Sequence, residues 1–165
     1  PTSQSTIHPK IRLEKVVSAE EMYQACKLQF PSSDITVLSA AVADYKPLQV
    51  AEQKIKKGDG NMILELTKTH DIALELGKLK KNGQLIIGFA LETENEKANA
   101  EKKINAKNFD LIVLNSLNDA GAGFGHDTNK ISIIDRKNGI KEFNLKTKKE
   151  VARDIVKAII ENTHA

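Results

Sequence analysis

A small-residue stretch, Ser39-Ala40-Ala41-Val42-Ala43, delivers a lone carboxylate, Asp44, and a lysine cluster, Lys54, Lys56 and Lys57, follows shortly after it. An acceptor for sugar hydroxyls or base amines beside cations for a polyphosphate is a set of groups that suits a nucleotide. Alanines at a strand end leave room for a ligand to approach the backbone. The same residues also describe an ordinary buried strand followed by a solvated lysine loop, and so short a pattern does not decide between the two.

Further along, Lys103 and Lys107 are four apart and share a face if the segment is helical. Like charges so placed cost about 0.2–0.5 kcal/mol. A bound anion would reverse that cost, whereas a solvated basic face beside Glu101 needs no ligand. If Lys54 to Lys57 form a strand, Lys54 and Lys56 point one way and Lys57 the other, so at most two serve one pocket. Phe89 falls inside an apolar run, where core packing is the default, although a ring at a strand end can stack on a flat base. Asp71 opens a helix, where a carboxylate serves as a cap and the free N–H groups could hold a ligand oxygen.

Other chemistries lack their residues. His8, His70, His126 and His164 have no metal-ligand spacing, and Cys26 is the single cysteine, so no metal site is expected. No Ser/His/Asp or Cys/His arrangement, P-loop or Gly-x-Gly-x-x-Gly fingerprint is present. Gly121-Ala122-Gly123-Phe124-Gly125 is glycine-rich but leads into a hairpin rather than a helix.

The elements that must position these groups follow from periodicity. Ile11 to Val17 predicts a strand, and Ser18 with Glu21 forms a capping-box pattern opening a helix that carries Met22, Cys26 and Phe30 and stops at Pro31. Cys26 in that helix reads as a buried small hydrophobe. Ile35 to Ala43, Gln84 to Leu91 and Leu111 to Leu114 are apolar runs, as in strands covered on both faces. Gln53 to Lys57 and Met62 to Thr67 predict a hairpin with a mobile tip over Lys57 to Asn61. Helices are expected from Thr69 or Asp71 through Leu79, and from Glu94 to Asn108. Asn118 to Asn129 reads as a loop freed by Gly121 and Gly123. Lys130 to Asp135 and Ile140 to Leu145 pair around Asn138-Gly139, and Glu150 to Asn162 closes as a helix with Val151, Ile155, Ala158 and Ile159 inward. Strands alternating with helices give an α/β fold, a mostly parallel sheet with flanking helices and antiparallel hairpin extensions. Ligands of such sheets bind beyond the carboxyl ends of the strands, where Asp44, Phe89 to Thr93 and Asn115 would meet on one rim.

Length and charge are consistent with this. The 165 residues suffice for one domain, taken as 1–165, with a real core. A net charge of +3 is too small for bulk binding of nucleic acid or a membrane surface, and neither is an expected partner. No apolar run is long enough to span a bilayer, and the opening Pro1-Thr2-Ser3-Gln4-Ser5-Thr6 lacks the apolar segment of a signal peptide. One cysteine fits a reducing, cytoplasmic location.

Taken in order, Ala40-Ala41-Val42-Ala43-Asp44-Tyr45-Lys46-Pro47, Lys54-Ile55-Lys56-Lys57, Gly88-Phe89-Ala90-Leu91-Glu92-Thr93 and Gly123-Phe124 to Asn129 resemble phosphopantothenoylcysteine synthetase, the ligase of coenzyme A biosynthesis. The resemblance implies a Rossmann-like fold and a homodimeric enzyme that uses CTP and Mg2+ to join 4′-phosphopantothenate to cysteine through an acyl-cytidylate. In bacteria the family is often fused to a flavin-dependent decarboxylase, which would lie upstream. By the same resemblance Ala41 and Asp44 contact the nucleotide, Asp44 at its cytidine part, and Lys54 contacts the phosphates as the catalytic cation. His70-Asp71-Ile72-Ala73 forms the helix-opening contact, Phe89, Lys103 and Lys107 complete the pocket, and the Lys57 to Asn61 tip is a flap that shields the intermediate from water.

Two departures are expected to matter. The family's glycine-rich opening segment, with its Asn-containing motif, is expected to be missing, so full activity from these residues alone is not expected. His70 also stands where many members carry proline, a change in stiffness more than in chemistry. Two other readings stay open: a non-catalytic nucleotide-binding or dimerisation fragment, and a Rossmann-like NAD(P) oxidoreductase, which the missing glycine fingerprint disfavours. The dimer surface is expected around the glycine-rich loop and the final hairpin.

Overall fold

A computed structural model describes residues 8–57, 59–92, 95–116 and 126–163. In chain order the elements are α1 (Ala19–Gln29), a 3-10 turn (Phe30–Ser32), β1 (Ile35–Leu38), β2 (Tyr45–Pro47), β3 (Leu66–Lys68), α2 (Ile72–Leu79), β4 (Leu85–Glu92), α3 (Glu96–Ala106), β5 (Leu111–Ser116), β6 (Thr128–Asn129), β7 (Ile131–Asp135), β8 (Ile140–Glu142), β9 (Lys146–Thr147) and α4 (Lys148–Thr163). They fall into two compact units, Pro1–Gln29 with Val42–His70, and Phe30–Ala41 with Asp71–Ala165.

The second unit holds a five-stranded sheet in the order β1-β4-β5-β7-β8. β1, β4 and β5 run parallel, with Val37 opposite Ile87 and Ile87 opposite Leu111, and β7 and β8 extend the sheet antiparallel. Alternation along β4 separates two cores. Ile87 joins Leu111, Val113, Ile131 and Ile133 against Val151, Ala158 and Ile159 of α4. On the other face α3 lies against β4 and β5, burying Ala100 and Ile104. Two glycines permit this packing. A Cβ on Gly88 would stand 2.1 Å from the ring of buried Phe109, and one on Gly77 would stand 2.1 Å from the carbonyl oxygen of Lys107.

At the amino ends of the strands, Asp110 ties four segments together. Its carboxylate takes Lys80 Nζ at 2.6 Å to each oxygen and the Ile86 N–H at 2.7 Å. Lys80 also donates to the Asn108 carbonyl, Asn108 Nδ2 to the Gly77 carbonyl, and Arg136 Nε to the Phe109 carbonyl. Arg136 reaches the Asn108 side chain as well. The β7–β8 turn closes as its sequence predicts: Asn138 is left-handed at φ 63°, and Asp135 Oδ1 accepts from the Lys137 and Gly139 N–H groups.

In the first unit β2 pairs antiparallel with β3, Tyr45 opposite Lys68. Ser18 caps α1 by accepting from the Glu21 N–H at 3.1 Å, and Glu21 returns the bond to the Val17 N–H at 2.7 Å, one residue before the cap itself.

Four expectations are corrected. Ile11 to Val17 is irregular, because no described segment pairs with it and a lone strand leaves its backbone groups unsatisfied. β1 stops at Leu38 and is an edge strand rather than one covered on both faces: Ile35 is 43% and Val37 46% exposed. The expected hairpin of Gln53 to Lys57 with Met62 to Thr67 is displaced outward, since the pairing falls at Tyr45–Pro47 with Leu66–Lys68. Lys54, Lys56 and Lys57 therefore lie on no strand, and strand alternation does not sort them. The last hairpin's second strand ends at Glu142 rather than Leu145. Gly58 of the expected flap, Thr93, and Gly121 and Gly123 of the loop lie outside the described residues.

Gly77 yields a prediction of sign. A helical Gly→Ala change ordinarily gains up to about 1 kcal/mol. Gly77→Ala is expected to lose about 1–3 kcal/mol in urea denaturation, because the atom it meets is backbone. A gain would show that the α2–Lys107 contact is looser than described.

Candidate nucleotide site

The residues singled out by the sequence divide between the two units. Asp44, Lys54 and His70 belong to the first, and Ala41, Asp71, Ile72, Ala73, Phe89, Lys103 and Lys107 to the second.

In the first unit the backbone around Asp44 is tied to Thr69, the residue that follows β3. The Asp44 carbonyl accepts from the Thr69 N–H at 2.9 Å, and the Ala43 carbonyl from Thr69 Oγ1 at 2.6 Å. The Asp44 side chain is exposed, as is Lys54 in its irregular stretch. His70 lies flat on the buried Tyr23 ring of α1, centroids 4.2 Å apart and planes at 14°, with its Nε2 3.4 Å from Glu20. The Tyr23–His70 stack was missed in the sequence because it joins residues far apart in the chain. Cys26 is half-buried, and burial pushes its thiol up, so it is poorly suited to act as a thiolate.

The second unit gathers its polar groups where β4 ends and α2 begins. Asp71 caps α2, accepting from the Leu74 N–H at 3.0 Å, and takes Lys107 Nζ at 2.9 Å. Burial pushes the Asp71 carboxyl up, but the Leu74 bond, the hydrogen bond and charge of Lys107 and the Ala73 N–H outweigh it, leaving the group below its usual range. Some of the N–H groups expected to be open at this helix end are thus already satisfied from within. Glu92, the last residue of β4, accepts Lys103 Nζ at 2.6 Å on one oxygen and Asn99 Nδ2 at 3.2 Å on the other.

Lys103 sits in the last turn of α3 and Lys107 at its C-cap, and each ammonium group has its own carboxylate. Their mutual repulsion is therefore relieved without a ligand. Phe89 leaves β4 on the opposite face from Glu92 and packs, partly buried, against the α4-side core. Ala41 is exposed in the chain beyond β1. Glu92 was overlooked as a site residue, although Asn99 and Lys103 at four-residue spacing on one helix face were a usable signal for an acceptor nearby.

Comparison with known proteins sets the class. Residues 1–163 match the family described as the DNA/pantothenate metabolism flavoprotein C-terminal domain, and the chain belongs to that family. A cysteine/cysteine sulfinic acid decarboxylase from an unknown prokaryotic organism is 54% identical over 93% of this chain and 43% of its own length. The coenzyme A biosynthesis bifunctional protein CoaBC of Bacillus subtilis strain 168 is 44% identical over 87% of this chain and 35% of its own length. The chain thus spans less than half of either relative. The crystal structure of a CoaBC C-terminal domain superposes with a TM-score of 0.78 at 36% identity, covering 99% of this chain and 73% of that one. The fold is the Rossmann-like α/β fold of that domain.

Asp71 is testable apart from any ligand. Asp71→Ala removes the α2 cap and is expected to cost about 1 kcal/mol of stability. Asp71→Asn retains a capping oxygen but not the charge. Because the folded carboxyl lies below its unfolded value, its contribution is complete above the unfolded value of about 3.9 and is lost as pH falls through the folded one. The stability difference between wild type and Asp71→Asn should therefore be present at pH 7 and shrink below about pH 4 in urea titrations. An equal difference at both pH values would contradict the Lys107 pairing.

Proposed function

We propose that residues 1–165 act as a phosphopantothenate–cysteine ligase domain in coenzyme A biosynthesis, with CTP as the activating nucleotide. The observation that carries this reading is the pair of ammonium groups, Lys103 and Lys107, held with the α2 opening and the end of β4 in a chain of this family. A triphosphate is the kind of ligand for which such cations serve, since attack of one anion on another requires the negative charge to be neutralised.

In the proposed reaction a carboxylate oxygen of 4′-phosphopantothenate attacks the α-phosphorus of CTP, forming an acyl-cytidylate and releasing pyrophosphate. The cysteine amine then attacks the acyl carbon, the C–O bond to the phosphate breaks, and CMP leaves with that electron pair. Lys103 and Lys107 would hold phosphate oxygens, with Ile72 and Ala73 presenting the helix opening beside them. Lys54 would supply the catalytic cation, Asp44 and Ala41 would contact the nucleotide, and Phe89, packed against the α4-side core, would complete the pocket only through the part of its ring that stays exposed. His70 would act through the stiffness it gives the segment before Asp71.

Among the described residues no group of three His, Cys, Asp or Glu side chains is placed to hold a metal. Mg2+ fits this site as an ion carried on the triphosphate, which is how Mg2+ usually meets proteins, and there it would neutralise phosphate charge. The chain would serve as a homodimer in the cytoplasm, beside a flavin-dependent decarboxylase domain. Exposed Ile140 and Leu145 at the final hairpin would belong to the apolar surface that a second copy covers. Among the described residues no helix is long and apolar enough to cross a membrane.

A second reading, a non-catalytic nucleotide-binding or dimerisation domain, is favoured by one observation: the relative at 54% identity is named a decarboxylase rather than a ligase.

Calorimetric titration with CTP, ATP and NADP separates these readings. The ligase reading expects CTP to bind preferentially and with Mg2+, Lys54→Ala to abolish that binding, and affinity to fall with salt because exposed charges are screened over about 8–10 Å near physiological ionic strength. Equal binding of all three nucleotides, or of none, contradicts it. In the full-length protein pyrophosphate release should require 4′-phosphopantothenate, and CTP binding without any such release supports the second reading.

A further inference from the structure

We infer that Glu92 is an internal competitor for the polyphosphate: its carboxylate occupies Lys103 when the anion is absent and retakes it as the anion leaves. This rests on the nucleotide reading of the site and adds a residue whose effect on binding is opposite to that of its neighbours.

The geometry favours exchange over a fixed structural pair. Glu92 Oε1 lies 2.6 Å from Lys103 Nζ, a distance at which the ammonium group is committed to the carboxylate. The carboxylate is anchored: it ends β4, is only 13% exposed, and its second oxygen accepts from Asn99. The lysine is the movable partner, 41% exposed on a flexible four-carbon stem. A phosphate oxygen that takes Lys103 must displace Glu92, and the displaced carboxylate keeps its Asn99 bond and so is not left bare. Lys107 differs, because its partner Asp71 is also bound to the Leu74 N–H and is part of the α2 cap.

The consequence is a moderated affinity. A partly exposed pair contributes modestly, so removing the competitor should tighten a ligand that uses Lys103 by about two- to fivefold. Its benefit would be release: pyrophosphate is the fragment that must depart after the first step, and a carboxylate waiting beside the cation hastens that departure.

Glu92→Gln keeps an oxygen for Asn99 and removes the charge. Inorganic tripolyphosphate, pyrophosphate, CTP and cytidine are titrated into wild type, Glu92→Gln, Lys103→Ala and the double variant, with thermal melting as a check that each is folded. Tripolyphosphate, pyrophosphate and CTP should bind Glu92→Gln about two- to fivefold tighter, cytidine should not change, and pyrophosphate should dissociate more slowly. In the Lys103→Ala background the gain should vanish, as coupling through that lysine requires. Three results overturn the inference while leaving the nucleotide reading intact: unchanged affinity in Glu92→Gln, weaker binding, which would make Glu92 a positioning residue for Lys103, or a gain that persists without Lys103, which would make it a diffuse charge effect. Failure of wild type to bind CTP or tripolyphosphate overturns both.

Discussion

Asp110 is the anchor of the second unit. It stands where β5 starts, and its carboxylate joins Lys80 at the end of α2 to the first peptide groups of β4. Its own N–H donates to the Ile86 carbonyl, so β4 and β5 are fixed in register at their beginnings. Arg136 brings the β7–β8 turn to the same knot through Phe109 and Asn108. This half-buried pair is tolerated because each carboxylate oxygen has a donor, and removing one partner would leave the other without its counter-charge. With the starts of the strands fixed, the positions of their far ends follow. Glu92 closes β4 at a set distance from α3, and Gly77 lets the end of that helix lie against α2 closely enough for Lys107 to reach Asp71.

That arrangement leaves Lys103 and Lys107 neutralised from within. Two lysines on one helix face would repel, and the structure supplies two acids from two different elements to quiet them. The acids differ in what else they do. Asp71 completes a helix end, so its charge is committed to local structure, whereas Glu92, among the described residues, holds a side-chain amide besides its lysine. The same ion-pair motif thus serves backbone capping in one place and is available for exchange in the other.

Much of this was legible in the sequence where the cause is local. The Asp71 cap, the Ser18–Glu21 box, the Asn138-Gly139 turn and the inward residues of α4 all follow from neighbours a few positions away, and each is found in the structure. Apolar runs located β4 and β5 but misjudged β1, because a run of hydrophobic residues does not say whether a strand is central or at an edge. The Ile11 to Val17 stretch fails for a related reason: β propensity has no effect without a partner to bond. Asp110–Lys80, Glu92–Lys103 and Tyr23–His70 join residues whose separation in the chain only the fold removes, so composition and spacing carried little trace of them. The division into two units was likewise unreadable, since Asp71 follows His70 with no change of composition at the boundary.

The edge position of β1 has a practical consequence. Among the described residues only β4 bonds to it, so one side presents a row of peptide N–H and C=O groups flanked by Ile35 and Val37. Sheets normally blunt such margins with charge, proline or a covering segment. Concentrated preparations of these residues by themselves should consequently tend to zip together into insoluble stacks, and a lysine introduced at Val37 is the simplest gatekeeper to keep them dispersed.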